Sequence, residues 1–101
     1  MSGIYAVFRR FGAEWVQGAP ADAQPEWEAH AEFMNDLNER GAVVMAGPLE
    51  GTQTALVIVR AGSQAEAEAV LARDPWSLRD ILPVESVRKW DVRIGQDEAE
   101  T

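Results

Sequence analysis

The chain holds a single histidine, His30, and imidazole is the side chain that titrates naturally near neutral pH. Far along the chain stands a second signal, Asp74-Pro75-Trp76. A carboxylate bound to one imidazole nitrogen fixes the tautomer and stabilises the protonated ring. The other nitrogen is then free to move a proton to or from a bound molecule. If the fold joins them, His30 is the general base or acid and Asp74 its orienting partner. Taken singly, each has a plainer explanation. A lone histidine on an apolar helix face is more often a hydrogen-bonded core residue, and aspartate before proline commonly stabilises a turn.

Other residues could complete a site. Trp76 and Trp15 offer aromatic walls for a flat ligand, and Trp27 lies one turn before the histidine. Gly47-Pro48 reads in two ways: a glycine that lets a ligand approach the backbone, or a strand end that needs a tight bend. Arg9, Arg10 and Arg88 are candidates to hold a carboxylate or an enolate, and surface ion pairs explain them equally well. Trp90 reads as a core or dimer-interface residue. Ser63, Ser77 and Ser86 carry no nucleophile motif. One histidine among scattered acids lacks the clustered ligands of a zinc or iron site, so no metal is expected. A haem with His30 as axial ligand is disfavoured by Asp74 and by the small pocket expected. Residues 41 to 47 lack the lysine and helix order of a phosphate loop, and no cofactor is expected.

Periodicity indicates what positions these residues. Ile4 to Arg10 reads as a strand, followed by a long connection from Phe11 to Gln24. Pro25 opens a helix that runs to Arg40, with Gly41 as its C′ residue. At ~100° per residue, Trp27, His30, Ala31, Met34 and Leu37 gather on one side and the acids Glu28, Glu32, Asp36 and Glu39 opposite. His30 therefore points toward whatever the helix covers. Ala42 to Ala46 is a second strand, closed by Gly47-Pro48, and Thr54 to Arg60 is a third, apolar enough to be central. Ser63-Gln64-Ala65-Glu66 is a capping box that starts a second helix, which Pro75 ends. A helical turn follows over Trp76 to Asp80. Val84 to Ile94 is the last strand, with Val84, Trp90, Val92 and Ile94 on one parity.

This order, βαββαβ, is the split pattern of the ferredoxin-like fold, an α+β class with a four-stranded antiparallel sheet. Helices cover one face of such a sheet. The other face is apolar too, so a homodimer through the open sheet face is expected. A domain over 1–95 and an acidic, flexible tail over 96–101 make up the chain.

Composition narrows the classes. Nine basic against seventeen acidic residues give a formal charge of −8, which suits neither nucleic acid nor an anionic membrane as a partner. No cysteine is present, so thiolate catalysis, disulfides and cysteine–zinc sites are excluded. The apolar run at the start is too short for a signal peptide, and no stretch approaches a membrane span. A soluble, cytoplasmic protein is expected.

Three segments carry a resemblance: His30-Ala31-Glu32-Phe33-Met34, Ala46-Gly47-Pro48-Leu49 and Asp74-Pro75-Trp76. In order and approximate spacing they resemble the YciI-like (YCII-related) family, over Ile4 to about Val92. Two departures are visible, a longer first loop carrying Trp15, and Trp27 where some relatives have a basic residue. The resemblance implies a dimeric α/β barrel of paired ferredoxin-like domains and a His–Asp site carried by His30 and Asp74. The functional expectation is a small cofactor-independent enzyme, a lyase or isomerase, that moves protons on a small organic substrate. The alternative is a non-catalytic dimeric module that binds a small ligand for regulation.

Overall fold

Strand β1 (Gly3–Arg10) turns Tyr5, Val7 and Arg9 to its buried side and leaves the residues between them partly covered. It is followed by α1 (Trp27–Glu39), β2 (Val43–Pro48), β3 (Thr54–Ala61), α2 (Gln64–Ala72), the one-turn α3 (Pro75–Leu78) and β4 (Val84–Trp90). The computed structural model describes residues 2–95, and the tail expected over 96–101 lies outside them.

The strands form one sheet in the order β2-β3-β1-β4, with every neighbouring pair antiparallel. This is the α+β, ferredoxin-like arrangement that the element order implies. Tyr5 and Val7 pair with Val59 and Val57, and these side chains pack with Leu37 of α1 and with Ala67 and Leu71 of α2. Both long helices therefore cover the same face. Leu71, Val7 and Val59 are fully enclosed, and each such side chain contributes about 1.5–3 kcal/mol through burial. The capping box holds α2 as expected: Ser63 Oγ accepts from the Glu66 amide at 3.1 Å. Glu66 reaches back to the Gly62 amide at 2.7 Å, one residue before the cap.

Three local expectations are corrected. Helix α1 starts at Trp27, not Pro25, because Glu26 takes a left-handed conformation with φ 62°. The Pro25 carbonyl accepts from the Trp76 indole at 2.7 Å, and the helical ladder begins at the Glu26 carbonyl, which accepts from the His30 amide at 2.9 Å. Strand β2 runs through Gly47 to Pro48, which pair with Leu56 and Ala55, so no tight bend is required there. Strand β4 ends at Trp90, and a register shift between Phe8 and Arg9 turns Val84 and Val87 toward the core. Trp90 instead sits opposite Ile4 on the helix-free face, half exposed, and is not a core residue. Ile94 is almost fully exposed.

The long connection is pinned. Gln24 is buried; its Oε1 accepts from the Val16 amide at 2.7 Å, and its Nε2 donates to the carbonyls of Val16 and Ala19 at 2.9 Å. Gly12 lies so close to the next segment that a Cβ there would meet the Asp80 carbonyl oxygen at 2.1 Å. These contacts carry Phe11 and Trp15 to the end of the sheet, beside α3.

Candidate active site

His30 is buried on α1, on the side that periodicity indicated, and Asp74 is the residue that caps α3. The His30 Nδ1 atom lies 3.0 and 2.9 Å from the two Asp74 carboxylate oxygens. Asp74 does this while serving as a helix cap, since Oδ1 also accepts from the Trp76 amide at 3.0 Å. One carboxylate therefore both caps a helix and binds the imidazole.

A third residue completes the group. Arg9 of β1 places one terminal nitrogen 2.9 Å from Asp74 Oδ2, and neither side chain exposes any surface, at 0% each. Its Nε donates to the Leu82 carbonyl at 2.8 Å and its other terminal nitrogen to Ser77 Oγ at 2.9 Å. Ser77 in turn donates to the Leu71 carbonyl. Arg9 thus holds a carboxylate of the protein itself, not an exposed ion pair. Arg10 and Arg88 do lie at the surface, Arg10 loosely paired with Asp80 at 4.0 Å. The signal for Arg9 was available in the sequence, since it shares strand parity with Tyr5 and Val7.

Burial alone would raise the Asp74 carboxyl above its ordinary range. The His30 hydrogen bond, the Arg9 guanidinium and the Trp76 amide outweigh burial and hold it below the usual carboxylate value. Burial also lowers Arg9, partly offset by Asp74, yet a guanidinium starts so high that it stays charged. Asp74 is therefore an anion and only accepts, so Nδ1 of His30 must carry its proton. When the ring is neutral, Nε2 is left as the acceptor, and it has no protein partner among the described residues.

His30 also lines a cavity of about 390 Å³. His30, Ala31 and Met34 of α1 line it, as do Ala46, Gly47 and Pro48 of β2. Ala55, Val57 and Leu82 line it further, together with Phe11, Trp15, Trp27 and Trp76. The structure thus brings Trp15, Trp27, Gly47, Pro48 and Trp76 to one cavity with His30, whereas Asp74 stands behind the histidine and does not line it. No Cβ clash would follow at Gly47, which faces open space.

The aromatic rings form a connected set. Trp76 stacks on His30 with centroids 3.7 Å apart and planes 5° from parallel. Trp15 meets Trp76 edge-on at 5.5 Å and stacks on Phe11 at 4.0 Å. Trp27 lies 5.9 Å from Trp76 and 6.0 Å from His30. Among the described residues no group of three His, Asp or Glu is arranged to hold a metal. No helix among them is long and apolar enough to cross a membrane.

Comparison with known proteins gives one match. The family model described as the YCII-related domain matches residues 5–91. No curated protein and no solved structure shows significant similarity to the chain.

Proposed function

The chain belongs to the YCII-related domain family, and from that premise we propose a cofactor-independent enzyme of the lyase or isomerase type that moves a proton on a small organic substrate. One observation carries the proposal. The single histidine has Nδ1 bonded to an ionised, fully buried aspartate and itself lines a cavity. Such an imidazole can accept a proton at Nε2, with Asp74 stabilising the imidazolium, and can return it elsewhere on the same molecule. Return to a second atom of the substrate completes an isomerisation. Return to a departing group completes an elimination. His30 is the catalytic residue in this proposal, and Asp74 and Arg9 are positioning residues.

The proposed active form is a homodimer through the helix-free sheet face. Support comes from apolar side chains there, with Met45 at 65% and Trp90 at 48% exposure beside partly covered Ile4, Phe8 and Leu56. Light scattering should give twice the 11.1 kDa chain mass, and a monomer persisting at high concentration would refute the pairing. A cytoplasmic setting is part of the proposal and rests on the acidic, cysteine-free composition.

The test is His30→Gln, which can keep a hydrogen bond to Asp74 but cannot carry the proton. On a turned-over substrate, kcat should fall by roughly 10²–10⁴ with the fold intact. Unchanged turnover in the folded variant would remove His30 from the reaction.

A further inference from the structure

We propose that the ligand of this cavity is a flat, aromatic molecule that enters uncharged and presents an acidic O–H or C–H to His30. The inference rests on the acid–base reading above and names the class of molecule on which it acts.

Among the lining residues Arg9 is the one lysine or arginine, and no aspartate or glutamate lines the cavity. Arg9 borders the cavity but exposes 0% of its side chain. Each of its three nitrogens already has a protein acceptor, in Asp74, Leu82 and Ser77. Among the described residues no lining cation is therefore exposed to a ligand carboxylate or phosphate. Arg9 and Asp74 cancel, so the site is neutral when the imidazole is neutral. A charged ligand meeting the neutral imidazole would bring an uncompensated charge into apolar surroundings, which is costly. A neutral acid meets no such cost. Once its proton passes to Nε2, the imidazolium and the new anion neutralise each other at close range.

At about 390 Å³ the cavity lies near the small end for ligand sites and fits one or two fused rings. One face of Trp76 is covered by His30, but Trp15 and Trp27 each contribute an indole to the cavity wall and are only partly buried. Indole faces favour stacking with another flat ring. The described lining residues thus supply aromatic walls, one imidazole and no exposed cation.

The probes are 2-naphthol and 2-naphthoate, matched in ring system and different in charge at neutral pH. Calorimetry on the full-length protein should find 2-naphthol bound at least tenfold more tightly. Equal affinity, preference for 2-naphthoate, or binding of neither at millimolar concentration would overturn the ligand class. A ¹⁵N spectrum of the His30 ring, recorded on the same samples, separates this from the acid–base reading. Preferred 2-naphthol that moves the Nε2 resonance supports both. Preferred 2-naphthol that leaves Nε2 unmoved keeps the ligand class and removes His30 as its proton partner. Preferred 2-naphthoate with Nδ1 protonated and Nε2 free discards the ligand class and leaves the acid–base reading intact.

Discussion

The Trp76 indole lies flat on the His30 imidazole, 3.7 Å between centroids and 5° from parallel. Two residues earlier in the same turn, Asp74 holds the edge of that imidazole through Nδ1. A tripeptide, Asp74-Pro75-Trp76, therefore grips the ring on both edge and face. Pro75 occupies the first helical position, where its missing N–H costs nothing, and the Trp76 amide is the donor that Asp74 caps. Rotation of the imidazole would break the Asp74 bond and the stack together. Under the proposed function, preorganisation of this kind would keep the acid–base group in its working position before a substrate arrives.

Asp74→Asn should be strongly destabilising. It leaves the Arg9 charge buried without its counter-ion, a loss of about 3–5 kcal/mol in systems of this type. Urea unfolding measures it. Adding Arg9→Met should restore much of the lost stability, because the orphaned charge is then gone. If the single variant is as stable as the parent, the Arg9–Asp74 pair is not holding this corner of the fold.

The same carboxylate predicts a pH dependence. Folding depresses the Asp74 value, so the unfolded chain binds the proton more readily at low pH. Its contribution is complete above the unfolded value, about 3.9, and is lost as pH falls from there through the folded value. Unfolding midpoints followed from pH 6 downward should drop in that acidic window. The drop should be smaller in the Asp74→Asn, Arg9→Met double variant. Parallel curves for the two proteins would show that Asp74 does not carry the effect.

Two glycines make opposite predictions. Gly12→Ala puts a methyl 2.1 Å from the Asp80 carbonyl oxygen, so the loop bearing Trp15 must shift, at a cost of about 1–3 kcal/mol. Gly47→Ala meets nothing within 4 Å and should leave stability within about 0.5 kcal/mol of the parent. Its effect should fall on ligand affinity instead, since Gly47 lines the cavity. Thermal unfolding and calorimetry separate the two, and a Gly47→Ala variant that unfolds early would contradict this placement.

Much of this site was legible because it obeys local periodicity. The 3.6-residue spacing in α1 turned His30 inward, and the Asp-Pro pair marked the end of α2. The βαββαβ order made the two neighbours. What periodicity does not contain is which partner a buried charge chooses. Arg9 lay on the inward parity of β1, yet only the meeting of β1 with α3 pairs it with Asp74. The start of α1 is hidden for a similar reason, since left-handed Glu26 lies beside long-range partners, Arg79 at 3.5 Å and the Trp76–Pro25 bond. The parity of β4 is not legible either, because the register shift opposite Phe8 and Arg9 arises between strands and leaves no mark along one of them.

Because His30 is the only histidine, one ¹⁵N-edited spectrum of the protein reports its tautomer without assignment. At a pH where the ring is neutral, the proton should sit on Nδ1, facing Asp74, with Nε2 bare. Free imidazole side chains prefer the opposite tautomer, so the expected signal is distinctive. A neutral His30 protonated on Nε2 would mean that the cavity sees a donor, and His30 could not be the base proposed here.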